Sequence, residues 1–272
     1  MTPLDPSSDR GAVGVVLVTG AARGIGAEVA KGFSRRGWRV VLVDACADDP
    51  AVNYRLGTRA ELDAVVAECE PEAMGFVADV RDQAALDEAA ALARERFGGL
   101  DAAVAVAGVV GGGSGTWETS DDLWEALIDV NLGGVWRLAR AAVPVMLERP
   151  VPRRGRFVAV ASAAAMVGLP RLGAYVAAKH GVVGLVRSLA AELGPEGITA
   201  NVVAPGSTRT EGLIESAALY GLASPEAFSE HHLVPRLLEP EEVAAAVVWL
   251  CEPASGGVTG AVVPVDAGMT AR

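Results

Sequence analysis

The sequence predicts a single doubly wound α/β domain built on a seven-stranded parallel, Rossmann-like sheet. Short β-branched apolar runs alternate with segments of helical period from Val13 onward, the pattern of βαβ units that cover a sheet on both faces. The first run turns directly into a glycine-rich segment and then a helix, as in the first crossover of a nucleotide-binding sheet. The chain has 272 residues, 51% of them apolar, and α/β folds often use about 250 residues for one domain. Residues 12–272 are therefore read as one domain, after a disordered lead-in over residues 1–11 whose MTPLDPSSDR has the acids and prolines of neither a signal peptide nor a helix.

The runs at 13–19, 39–43, 74–78, 102–106, 156–161, 198–203 and 261–265 each read as a strand buried on both faces. The first helix follows from Ile25, Val29 and Phe33 and stops at Gly37. Thr58 and Glu61 have the spacing of a capping box for the second, which reaches about Cys69. Leu86, Ala90, Ala93 and Phe97 mark the third, ending at Gly98. One long helix is expected from Leu123 through Leu127, Val130 and Leu138 to Val145, and another from Val176 to Leu193 before Gly194-Pro195. The last runs from Val243 to Leu250 after Pro240. Two stretches exceed the minimal pattern: an insertion at 45–57 and an excursion at 207–239. Loops this long are usually functional or disordered.

Lys and Arg number 23 against 34 Asp and Glu, a net charge of −11 with an isoelectric point near 4.8. With no basic cluster, nucleic acid and anionic membrane are poor partners. Mean hydropathy is +0.33, yet no apolar run approaches the roughly 20 residues of a membrane span. Cys46, Cys69 and Cys251 are far apart and lack CxxC spacing, so neither disulfides nor zinc are indicated and a reducing, cytoplasmic setting fits. His231 and His232 have no further ligand at metal spacing and read as a surface pair on the excursion.

Gly20, Arg23, Gly24, Ile25 and Gly26 form the turn after the first strand. Glycines here permit the turn and let backbone approach a pyrophosphate at the helix N-terminus, although a ligand-free βα turn has the same look. Asp44 closes the second strand about 20 residues on. An acid there accepts ribose hydroxyls and repels a 2′-phosphate, favouring NAD over NADP. Asp79 after the third strand and Ala107-Gly108 after the fourth fall on the same C-terminal rim. Tyr175 and Lys179, at i and i+4, share a helix face, where a cation favours the phenolate and lowers the phenol's pKa. Such a pair alone is more often surface decoration. Ser162, just after the fifth strand, changes that balance because its hydroxyl can hold a substrate oxygen. Asn131 interrupts an otherwise apolar and charged helix pattern.

Taken together, Thr19-Gly20-x-x-x-Gly24-Ile25-Gly26, Asp79-Val80, Asn131, Ser162, Tyr175-x-x-x-Lys179 and Pro205-Gly206 resemble the short-chain dehydrogenase/reductase family over nearly the whole chain. The resemblance implies Tyr175 as proton donor and acceptor, and Lys179 as its pKa tuner and a holder of the nicotinamide ribose. It implies Ser162 as stabiliser of the substrate oxygen and Asn131 as holder of a relay water. Thr208 and Thr210 resemble positions that hold the nicotinamide carboxamide, and a homotetramer is implied. One departure is Val106, where the family usually carries Asn. The insertion, with Ala47-Asp48-Asp49-Pro50 and Tyr54, is similar to that of the mycofactocin-associated branch. That branch implies tightly held NAD recycled in place by a redox partner, with alcohols such as terpenoid carbinols as substrates.

The expected activity is NAD-dependent interconversion of a secondary alcohol and a ketone. Small apolar substrates suit walls drawn from 109–117, 163–172 and Leu213, Leu219, Tyr220 and Phe228. The rivals are a 3-oxoacyl thioester reductase, for which a basic entrance and NADPH preference would be expected, and a non-catalytic NAD sensor, which has no use for a tuned phenol.

Overall fold

The computed structural model describes residues 14–69 and 72–271, and the lead-in expected over 1–11 lies outside them. Seven strands form one sheet: β1 (Val15–Thr19), β2 (Arg39–Asp44), β3 (Ala73–Val77), β4 (Ala102–Ala105), β5 (Arg156–Val160), β6 (Thr199–Pro205) and β7 (Val262–Val265). They pair in parallel in the order 3-2-1-4-5-6-7. The order reverses between β1 and β4, so the connections leave in opposite directions and open a crevice at their C-terminal ends, where ligands of such sheets bind.

One face of the sheet is covered by α3 (Gln83–Phe97), α5 (Gly134–Leu147) and α6 (Gly173–Leu193), through Leu86, Leu138, Met146, Val182 and Val186. The other is covered by α1 (Gly24–Ser34), α2 (Arg59–Glu68) and α8 (Pro240–Cys251), through Val29, Phe33, Leu62, Val247 and Leu250. β1, β4 and β5 are wholly buried and β2 and β6 are buried but for end residues, whereas β3 and β7 are only partly covered. The expectation that all seven are buried on both faces fails there because each is a sheet edge. The Thr58–Glu61 capping box forms, and Gly98 ends α3 with φ +82°.

The long helix expected over 123–145 is broken. It comprises α4 (Asp121–Ile128), a π turn over Asp129–Gly133, and α5. Within the turn the Gly134 N–H reaches back five residues to the Asp129 carbonyl. Asn131 is the cause in reach: its Nδ2 donates to the Leu127 carbonyl at 2.9 Å, competing with the helical ladder. Such turns gather at functional sites.

The excursion contains α7 (Glu211–Tyr220) and a 3₁₀ segment, Pro225–His231. The surface pair expected there is half wrong. His231 is exposed, but His232 is 2% exposed. Its Nε2 accepts from the Ser207 amide at 3.2 Å while Nδ1 meets the Arg236 carbonyl at 2.6 Å, tying the excursion to the loop after β6. Trp117, Trp124, Trp136 and Trp249 all keep large exposed surfaces. Among the described residues no helix is long and apolar enough to cross a membrane, and no cluster of three or more metal-ligating side chains occurs.

Candidate active site

The crevice is a cavity of about 990 Å³. Gly20, Arg23, Gly24, Ile25, Gly26, Asp44, Asp79, Val80, Ala107, Gly108, Asn131, Ser162, Tyr175, Lys179, Pro205, Gly206, Thr208 and Thr210 all line it. The fold thus brings together the catalytic and cofactor-binding candidates read from the sequence.

The floor begins at the β1–α1 turn. Gly20 has φ +70°, and a Cβ there would stand 2.7 Å from the Ala107 backbone. On Gly26 it would meet the Gly20 carbonyl oxygen at 1.9 Å. Only glycine closes this turn, which leaves backbone amides at the α1 N-terminus facing the cavity. Arg23 reaches across it, donating through Nη2 to the Arg55 carbonyl at 2.5 Å, and its buried Nη1 has no protein partner. Asp44 accepts from the amides of Ala22 at 3.0 Å and Cys46 at 3.1 Å. Val106 supplies no side-chain donor, and the Thr19 hydroxyl holds the loop by accepting from the Val106 and Ala107 amides at 3.2 and 3.4 Å.

Asn131 is fully buried. Its Oδ1 accepts from the Val109 amide at 3.2 Å and its Nδ2 donates to the Val109 carbonyl at 2.9 Å, a side-chain imitation of strand pairing. A side-chain carbon on Gly108 would lie 2.7 Å from Asn131 Oδ1 and 3.4 Å from Lys179 Nζ, so these groups crowd one point. Ser162 starts a short turn, its hydroxyl accepting from the Ala164 amide at 3.1 Å. Tyr175 stands in the first turn of α6.

The expected electrostatics are reversed. Burial pushes the Tyr175 phenol above its usual value, and a hydrogen bond with Ser162 draws it back only in part. Burial also pushes the Lys179 ammonium down to about 8. Lys179 Nζ donates to the Val160 carbonyl at 3.2 Å and lies 5.6 Å from the centre of the tyrosine ring. Its charge faces the ring, and desolvation of both groups outweighs the pairing that sequence spacing suggests.

The substrate side is walled by Leu169, Pro170, Leu172, Leu213, Tyr220 and Phe228. Tyr220 and Phe228 meet edge to face at 5.9 Å, and the Tyr220 hydroxyl donates to the Pro170 carbonyl at 2.6 Å. Leu219 and the stretch 111–117, expected in these walls, do not line them. Arg209, on the cavity wall, is engaged by Glu226 and Glu239, so its charge is compensated.

The 45–57 insertion lies across the cofactor side. The Tyr54 hydroxyl accepts from the Val110 amide at 3.0 Å, and burial raises its phenol to about 12. Val52, Tyr54 and Leu56 join Val80, Val109, Leu127, Val130 and Ala174 in a small apolar cluster directly beside Asn131 and Tyr175. Asp48 accepts from the Leu56 amide at 2.7 Å, and Arg55 pairs with Glu61 at 2.8 Å. Sequence reasoning missed Tyr54 as a site residue. The period-two spacing of Val52, Tyr54 and Leu56 was the available signal.

A family model described as Enoyl-(Acyl carrier protein) reductase matches residues 20–270. An uncharacterized NAD-dependent oxidoreductase of Mycobacterium tuberculosis is 38% identical over 264 residues, covering 93% of this chain and 94% of that protein. The (-)-trans-carveol dehydrogenase of Rhodococcus erythropolis is 36% identical over 273 residues, covering 95% and 98%. Among solved structures, the carveol dehydrogenase from Mycobacterium avium in complex with NAD superposes with a TM-score of 0.91 at 32% identity, covering 96% of this chain and all of that one.

Proposed function

This chain belongs to the short-chain dehydrogenase/reductase family, and from that premise we propose that it interconverts a small, largely apolar secondary alcohol and its ketone with NAD. The observation that carries the reading is the meeting of Asn131, Ser162, Tyr175 and Lys179 at the junction of a glycine-built dinucleotide floor and an apolar pocket. Relatives named for carveol, a cyclic alcohol, support the substrate class.

The floor fits NAD: glycine backbone and the α1 N-terminus suit a pyrophosphate, the unpartnered Arg23 Nη1 offers a donor, and Asp44 is an acceptor for ribose hydroxyls. Val80, Ala107, Gly108, Pro205, Gly206, Thr208 and Thr210 complete the walls that would hold it. When bound, NAD supplies the hydride acceptor or donor. In reduction Tyr175 would donate its proton to the ketone oxygen, and its raised pKa keeps it protonated for that step at neutral pH; in oxidation its phenolate, after the phenol has passed its proton to solvent, would take the alcohol proton. Ser162 hydrogen-bonds the substrate oxygen. Asn131 braces the β4 exit loop, leaving its main-chain carbonyl in the π turn to hold a relay water.

The insertion supports the narrower mycofactocin-associated reading, in which NAD is held through many turnovers and an external redox partner regenerates it. Tyr54 spans from β2 to the β4 rim, and Gly57 ends the insertion with no room for a side chain beside Asp44 Oδ1. A segment so anchored slows dissociation, where affinity differences are mostly expressed. We further propose a cytoplasmic homotetramer of the kind the family resemblance implies.

Tyr175→Phe tests the chemistry. It should lower turnover of secondary alcohols by about 10²- to 10⁴-fold while NAD affinity stays close to that of the parent. A Phe variant with near-parental turnover overturns the mechanism.

A further inference from the structure

The loop that leaves β6 forms one side of the crevice, and residues 205–210 all line the cavity. It lies four strands along the sheet from β2, so this loop and Asp44 flank the glycine turn from opposite sides. Its backbone is held from behind. The Gly206 amide donates to the Val265 carbonyl at 2.9 Å, the Leu238 amide to the Ser207 carbonyl at 3.0 Å and the Arg209 amide to the Leu238 carbonyl at 2.9 Å. The Ser207 amide donates instead to a side chain, His232 Nε2, at 3.2 Å. That residue is 2% exposed and stands behind the wall, outside the cavity lining. A carbonyl only accepts, so the Arg236 carbonyl 2.6 Å from Nδ1 places the ring hydrogen there and leaves on Nε2 the lone pair that the Ser207 amide needs. The Leu233 and Val234 amides, 2.9 and 3.0 Å from the Ala267 carbonyl, fix the same stretch of the excursion to the chain after β7.

We propose that His232 is a positioning residue for the nicotinamide side of the crevice: its ring holds the Ser207 amide, and through it the 206–210 wall, in the form that receives the cofactor. The proposal rests on the NAD reading above. The Ser207 N–H and the Gly206 carbonyl belong to one rigid peptide plane, so fixing one fixes the other. That carbonyl in turn accepts from Thr208 Oγ1 at 3.1 Å, and the Thr208 carbonyl accepts from Thr210 Oγ1 at 3.2 Å. Both hydroxyls therefore spend their hydrogens on the loop and keep lone pairs for a ligand. Deprived of its acceptor, the Ser207 amide is a buried donor that turns toward water, and the Gly206 carbonyl and the two threonine hydroxyls turn with it. Cofactor binding then has to reverse that turn, at the cost of an unmade buried hydrogen bond. The adenosine side, built on the β1–α1 turn and Asp44, does not depend on this link.

The two ring nitrogens separate in single variants. In His232→Asn the side-chain amide can stand where Nδ1 does and keep the Arg236 bond, but it is too short to offer Ser207 an acceptor. In His232→Gln the longer chain brings its Oε1 to the place of Nε2 and restores that acceptor. Calorimetric titration of the nucleotide-free full chain with NADH, and with ADP-ribose, which keeps the adenosine and pyrophosphate but lacks nicotinamide, reads the two sides of the crevice. His232→Asn should weaken NADH roughly five- to thirtyfold while ADP-ribose binds close to parental strength, and His232→Gln should recover most of the NADH affinity. His232→Leu fills the space without an acceptor and should match the Asn variant, which covers the case in which the latter does not fold. A folded Asn or Leu variant with the parental ratio of the two affinities overturns the proposal. So does an equal loss of both ligands, which marks a merely structural role, or a Gln variant that falls as far as Asn. Absence of binding of either nucleotide by the parent protein would instead overturn the NAD reading beneath it.

Discussion

Lys179 costs the fold stability that the reaction needs, and Lys179→Met should expose that cost. The ammonium is 4% exposed, and burial alone moves its pKa from 10.5 to about 8. That displacement corresponds to about 3 kcal/mol against the charged form at neutral pH. The sign follows from linkage. A base whose folded pKa is depressed carries its full penalty below the folded value, and the penalty disappears as pH rises through about 8 toward 10.5. Methionine fills similar volume without the charge, but it leaves the Val160 carbonyl without its 3.2 Å donor, which costs about 1–2 kcal/mol. The cofactor-free variant should therefore be more stable than the parent at pH 7 by about 1–2 kcal/mol, a rise in Tm of a few degrees at roughly 2–4 °C per kcal/mol. By about pH 10 the penalty in the parent has mostly gone, and the order of stabilities should level or reverse. Thermal and urea unfolding of nucleotide-stripped protein at both pH values, with turnover measured on the same preparations, checks this. A variant less stable than the parent at pH 7, or an advantage that does not change with pH, refutes the reasoning.

Asp44→Ala should narrow the preference for NAD over NADP chiefly by weakening NAD, because a carboxylate placed to accept ribose hydroxyls would also repel a 2′-phosphate. Equal affinity of the parent for both nucleotides, measured by titration, removes Asp44 as the selector. The chain has three tyrosines, and burial raises all of them, Tyr54 to about 12 and Tyr175 and Tyr220 above 10.0. Near-ultraviolet titration of the cofactor-free protein should show no tyrosinate near neutral pH, and an early ionisation lost in Tyr175→Phe would mean that Lys179 governs the phenol after all.

What was legible in the chain is what is local in it. The glycine turn, the Asp44 that closes β2 and the i,i+4 pair of Tyr175 and Lys179 each lie within one element or one crossover, so spacing alone places them. The parallel sheet then carries them to one rim without further information, since every functional strand ends on the same side. What was not legible depends on partners distant in sequence or on the dielectric. The expected direction of the Tyr175 shift failed because spacing reports that a cation is near but not that both groups are desolvated. The i,i−4 bond from Asn131 to the Leu127 carbonyl that accompanies the π turn is local, but its pairing with Val109, 22 residues away, is not. The insertion is the sharpest case. Its length reads as a functional or disordered loop, which does not reveal that Asp49 is buried against Arg81 or that Val52, Tyr54 and Leu56 close an apolar cluster over the rim. Alternation of apolar with polar residues is the mark of a segment with one buried face, and in a connection beside a ligand crevice that face has the crevice to cover. The 45–57 segment is thus built as a wall of the cofactor site, and its polar residues are the ion pairs and amide acceptors that hold the wall in place.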